Sequence, residues 1–121
     1  MLEDTDVLDT FQAPSSDGRQ IFTFESDELT AKCPFDFGGP DYYSITIRYV
    51  PEDRCLESRS LKEYLESFRS VEITAERLGA HFYDSLAELL EPQELYIRLK
   101  QARRGGIEET VEVGDVALCR S

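Results

Sequence analysis

The feature that most constrains this chain is a change of hydrophobic period, from two to 3.6 and back to two. Ile45, Ile47 and Tyr49 alternate with polar residues, which predicts a strand with one buried face. Leu61, Tyr64, Leu65 and Phe68 then fall at i, i+3, i+4 and i+7, the stripe of an amphipathic helix, with Ser58 or Ser60 as its cap. Leu78, Phe82, Leu86, Leu89 and Leu90 predict a second helix over 74–90, with Thr74 as N-cap and Pro92 beyond its end. Leu95, Ile97 and Leu99 alternate again, as a third strand. Ile21 to Ala31 reads as a strand before these elements. Val111, Val113, Val116 and Leu118 suggest one after them, broken at Gly114. Arg103-Arg104-Gly105-Gly106 is the turn between the last two strands. The order ββααββ predicts an α+β fold, a four-stranded antiparallel sheet with both helices on one face.

A chain of 121 residues holds one such domain. Residues 1–18 read as an N-terminal leader ending in the turn-rich Pro14-Ser15-Ser16-Asp17-Gly18, and residues 19–121 as the domain proper. A domain this small buries a moderate share of its surface, so a site with deep walls has to borrow them from a neighbouring subunit. No apolar run approaches a membrane span, and the acidic start MLEDTDVLDTF is unlike a secretory signal. These features predict a soluble, cytoplasmic protein.

The net charge of −12 argues against a general nucleic-acid binder, because an acidic surface repels phosphate backbones. Cys33, Cys55 and Cys119 are an odd set without CxxC spacing, and His81 is the single histidine. That pattern is neither a disulfide framework nor a zinc site, and no metal is expected.

Four groups of residues have chemical potential. Cys33 opens the loop Cys33-Pro34-Phe35-Asp36-Phe37-Gly38-Gly39-Pro40-Asp41 at a strand end. Reactive groups favour such loops, although a lone cysteine is more often buried filler, the reading kept for Cys55 and Cys119. A thiolate there would attack an electrophilic carbon, and Asp41 returns towards it across the loop. Arg59 and Lys62, three apart at a helix start, and Arg104 beside two glycines would suit a cofactor phosphate; the plainer reading is a solvated, ion-paired face. Glu76 is either a first-turn acid favoured by the helix dipole or a carboxylate accepting from a heterocycle's N–H groups. His81, five residues on, is read as a structural or surface histidine.

In order along the chain, these segments resemble the NADPH-dependent 7-cyano-7-deazaguanine reductases of queuosine synthesis, a branch of the tunnelling (T-fold) family. Cys33-Pro34 with Gly39-Pro40-Asp41 looks like the catalytic loop. Glu57-Ser58-Arg59-Ser60-Leu61-Lys62-Glu63-Tyr64 looks like the cofactor signature, with arginine where lysine is usual. Ser67-Phe68-Arg69 and Arg104-Gly105-Gly106-Ile107 continue the likeness. The resemblance implies that Cys33 forms a covalent thioimide with the nitrile and that Asp41 is the general acid/base. It implies that Glu76, with Glu57 and Ser58, binds the deazapurine substrate, and that Arg59, Lys62 and Arg104 bind NADPH. It further implies a homo-oligomer with active sites between subunits.

The chain departs from the pattern in three ways. The Cys33–Asp41 loop is one residue longer than usual, which leaves Asp36 as a rival acid. Ala75 stands where histidine usually precedes the glutamate. The longer extensions of some relatives are missing. A second reading is the related archaeal amidinotransferase, which adds ammonia to the nitrile base in tRNA to form archaeosine without NADPH. A non-catalytic assembly module would keep the fold but would need none of Cys33, Asp41 and Glu76.

Overall fold

The computed structural model describes residues 5–35, 40–115 and 118. Eight elements follow a 3-10 turn at Thr5–Val7. They are β1 (Thr10–Gln12), β2 (Phe22–Lys32), β3 (Pro40–Val50), β4 (Arg54–Leu56), α1 (Ser58–Glu66), α2 (Ala75–Leu90), β5 (Glu94–Arg104) and β6 (Ile107–Gly114). The four long strands form one antiparallel sheet in the order β2-β3-β5-β6. Two short strands extend the expected ββααββ order: β1 and β4 pair with each other as a separate ribbon.

The alternating residues face the helices as their period requires. Tyr43, Ile45, Ile47 and Tyr49 of β3 and Leu95, Ile97 and Leu99 of β5 are buried. They share one core with Leu61, Tyr64, Leu65 and Phe68 and with Leu78, Phe82, Leu86 and Leu90. Tyr64, Phe68 and Phe82 meet edge-on or tilted, with ring centroids 4.9–5.8 Å apart. The leader belongs to this packing. Leu8 joins the core, Asp9 N–H donates to the buried Ser60 hydroxyl at 2.9 Å, and β1 pairs with β4.

Three local expectations change. Neither serine caps α1; the Glu57 carboxylate does, accepting from the amides of Arg59 (2.9 Å) and Ser60 (2.8 Å). Arg103 and Arg104 belong to β5, and Gly105 and Gly106 alone make the turn. The last strand stops at Gly114, whose φ of 102° places a hypothetical Cβ only 2.3 Å from the Leu95 carbonyl oxygen. Leu118 therefore lies outside the strand, in a small cluster with Val50 and Tyr96 on the other side of the sheet; Val116 lies outside the described residues.

Two β-bulges control which side chains reach the helix face. In β2 the register slips between Ser26, opposite Ile45, and Leu29, opposite Tyr43. Before the slip Phe22 and Phe24 pack on the core; after it Leu29 and Ala31 do. In β5 the slip falls between Gln101, opposite Glu109, and Arg104, opposite Ile107. An extra residue shifts the alternation by one, so each strand presents the opposite parity beyond its bulge.

Candidate active site

Cys33 directly follows β2, and the alternation re-phased by the bulge puts it on the side of Leu29 and Ala31. The approach to α2 is pinned beside it. Lys32 N–H donates to the Val71 carbonyl at 2.8 Å, and Ile73 N–H donates to the Lys32 carbonyl at 3.0 Å. These two bonds hold the start of α2, and thus Glu76, next to the strand end that carries Cys33. Thr74 caps the helix by accepting from the Arg77 amide.

Asp41 is the second residue of β3 and is only 4% exposed. Arg104, the last residue of β5, donates to the Asp41 carboxylate. The Cys33 side chain neighbours the same guanidinium, so one cation stands beside both the thiol and the acid. Arg104 is held more firmly cationic than usual, first by the hydrogen bond to Asp41 and then by that group's charge. The structure thus places Arg104 on Asp41 and Cys33, whereas the resemblance implied a cofactor contact.

Glu76 is exposed on the first turn of α2 and meets Glu109, which the sequence analysis missed. Glu109 precedes Val111 and Val113 in the inward alternation of β6, and that period is the signal that would have found it. The helix reaches β6 because Gly79 has no side chain: a Cβ there would lie 2.8 Å from Val111 Cγ1. Glu76 and Gly79 share a helix face, as Glu109 and Val111 share a strand face, so the carboxyls face each other. The Glu109 carboxyl donates to the Glu76 carboxylate. That bond, with burial, raises the pKa of Glu109 above the ordinary carboxyl value. The same bond lowers the pKa of Glu76, helped by its own amide and by Thr74.

The remaining candidates lie elsewhere. Glu57 is committed to capping α1. Ser58 and Lys62 line a groove of about 380 Å³ between α1 and the β2 bulge, which also presents Glu25, Asp27 and Glu28. Arg59 is exposed on the first turn of α1. The structure therefore unites Cys33, Asp41, Arg104 and Glu76 at one end of the sheet, and within one chain leaves Arg59 and Lys62 apart from them. His81 is structural, bonded to the Tyr64 hydroxyl at 3.3 Å and packed against Phe68. Cys55 is buried beside Tyr49. Asp36 and Cys119 lie outside the described residues. Among the described residues there is no cluster of metal-ligating side chains, and no helix is long and apolar enough to cross a membrane.

The family described as "QueF: QueF-like protein" matches residues 40–117. The chain belongs to the QueF-like protein family. Its QueF-like relatives include two proteins named NADPH-dependent 7-cyano-7-deazaguanine reductase. That from Chlorobium chlorochromatii is 37% identical over 108 residues, covering 89% of this chain and 92% of the relative. That from Pelodictyon phaeoclathratiforme is 39% identical over the same length and coverage. A crystal structure described as the archaeosine synthase QueF-Like in the apo form superposes with a TM-score of 0.71 at 19% identity. It covers 78% of this chain and 91% of that one, a likeness of fold.

Proposed function

We propose that this QueF-like protein is an NADPH-dependent 7-cyano-7-deazaguanine reductase, converting the nitrile to the primary amine. The observation that carries this reading is the contact of one guanidinium with both Cys33 and Asp41, beside the start of α2 that carries Glu76. The names of relatives 37–39% identical across nearly the whole chain support it.

The chemistry assigns each residue a task. Cys33 Sγ adds to the nitrile carbon, a C–S bond forms, one C–N π bond breaks, and the nitrogen gains a proton to give a thioimide. Asp41 is the general acid/base that handles protons at that nitrogen, and Arg104 holds it in place. The Glu76 carboxylate accepts from the ring N–H and exocyclic amine of the base, a bidentate contact that is strong where water is excluded. Two NADPH, bound in turn, would each supply one hydride to the carbon; the C–S bond breaks between the two deliveries, returning the Cys33 thiolate, and the nitrogen takes up the protons that complete the amine. Arg59 and Lys62, exposed cations one turn apart, suit its phosphate groups. Ser58 borders the same groove as Lys62, and Glu57 supports the helix that presents them.

Arg59 and Lys62 lie apart from Cys33 within one chain, and Glu76 and Arg104 are exposed. β2 and β6 are the outer strands of the sheet; among the described residues β6 pairs only with β5, and β2 has on its outer side only the single bridge of Lys32 to Glu72. Such edges invite another copy of the chain. A cytoplasmic homo-oligomer, with each site completed by a neighbour, accounts for both features.

Mass spectrometry of the intact protein tests the reading. Free nitrile base should add its mass to the wild-type chain and leave Cys33→Ala unchanged. Adding NADPH should discharge the adduct, release the amine and consume NADPH. An adduct persisting on Cys33→Ala would remove Cys33 as nucleophile. No NADPH consumption, with an amidine formed on tRNA when ammonia is supplied, would replace the reductase by the amidinotransferase.

A further inference from the structure

Tyr43 is a polar side chain at this end of the fold that the chemistry above leaves unused. It lies on β3 two residues after Asp41, on the helix face, and is 2% exposed. Its hydroxyl is buried and has no hydrogen-bond partner among the described residues. A buried hydroxyl without a partner costs folding free energy, so such groups are rare unless something else meets them.

Its position is set by register. Tyr43 stands opposite Gln101 of β5, and Gln101 stands opposite Glu109 of β6. Tyr43 and Glu109 thus occupy one cross-strand row, with Asp41 the next inward residue along β3 towards Cys33. Burial first, then the neighbouring acidic groups, Asp41 foremost, keep the phenol protonated far above its ordinary value of 10.0. It is therefore a permanent donor with no acceptor among the described residues, set between the Cys33–Asp41–Arg104 cluster and the Glu76–Glu109 pair.

We propose that Tyr43 contacts the substrate, its hydroxyl donating to the lactam carbonyl oxygen of the bound deazapurine. The inference rests on the reductase reading and deepens it. Along one edge of the base come the ring N–H, then the carbonyl oxygen, then the nitrile. The matching order in the protein is Glu76, Tyr43, Cys33. The carboxylate meets the donors and leaves the carbonyl needing a donor of its own. Asp41 and Glu76 are acceptors, the Glu109 proton is directed to Glu76, and Arg104 is engaged with Asp41 beside Cys33.

Tyr43→Phe removes the hydroxyl and keeps the ring. Dissociation constants for the free nitrile base, measured in a Cys33→Ala background to exclude the covalent step, should weaken about tenfold, the worth of one buried hydrogen bond. An analogue of the base lacking the carbonyl oxygen should bind equally well with and without the Tyr43→Phe substitution. The apo melting temperature should be unchanged or higher, because the lost hydroxyl had no partner. Equal dissociation constants for the natural base would overturn the role of Tyr43, and so would a melting temperature that falls in step with affinity. The reductase reading fails separately, through absence of NADPH oxidation by the wild-type protein, whatever this comparison of affinities shows.

Discussion

Arg104, the last residue of β5, donates a hydrogen bond to Asp41, the second residue of β3, and reaches Cys33 with the same guanidinium. The strands are neighbours, so an acid, a cation and a thiol from three segments converge at one sheet end.

This contact separates two roles for Arg104. If it serves Asp41 and Cys33, Arg104→Met should lower kcat about 10²-fold, the scale of losing well-placed acid/base help, with KM for NADPH little changed. Arg104→Lys should recover part of the rate. A rise in KM for NADPH at unchanged kcat would instead make Arg104 a cofactor ligand. Steady-state kinetics with NADPH varied decides between them.

The Glu76–Glu109 pair predicts a pH dependence of stability. Glu109 is raised above its ordinary 4.5, so its contribution is full below that value and is lost as pH rises through its folded pKa. Glu76 is lowered, so its contribution is present above 4.5 and is lost as pH falls through its folded pKa. The pair is most favourable with one shared proton, between the two folded values. Glu109→Gln keeps a donor that does not titrate. Its melting temperature relative to wild type should climb from pH 4.5 to pH 7, followed by thermal denaturation across that range. A flat difference would mean that the two carboxyls do not share a proton.

Gly79 sets the spacing that makes this pair possible. Gly79→Ala introduces a Cβ at 2.8 Å from Val111 Cγ1 and should destabilise the fold by about 1–3 kcal/mol, as overpacking does. Because α2 must then move off β6, substrate affinity should fall as well. Adding Val111→Ala makes room and should restore much of both losses. Chemical denaturation of the single and double variants reads the coupling, and strictly additive effects would count against direct contact.

The charge of −12 on 121 residues makes self-repulsion a general cost of compactness. The described residues contain three ion pairs, each with at least one partner substantially exposed, so attraction offsets little of it. Stability should rise as sodium chloride is raised from low to molar concentration, because screening removes the repulsion. A melting temperature that falls over this range would show that attraction dominates.

Much of the architecture was written in the chain. Hydrophobic period, with β-prone composition for the first strand, located the four long strands and both helices, because period reports directly which faces are buried, although the last strand runs over Ile107–Gly114 rather than on to Leu118. Cys33, Asp41 and Glu76 were legible as candidates from residue type, loop composition and family likeness. The α1 cap differs from expectation because serine is the commoner cap, while Glu57 is long enough to reach two amides.

The tertiary structure decided which side chains meet. Bulges in β2 and β5 invert the inward parity, turning Leu29 and Ala31 on one strand, with Cys33 just beyond its end, and Arg104 on the other towards the site. A bulge depends on how two strands accommodate one extra residue, and alternation read along a single strand does not reveal it. Cross-strand register likewise put Tyr43 and Glu109 in one row though they are far apart in sequence. The sequence by itself determined the elements and the reactive residue types, through short-range periodicity and chemistry. Pairing between distant strands decided the acid, cation and phenol that surround Cys33.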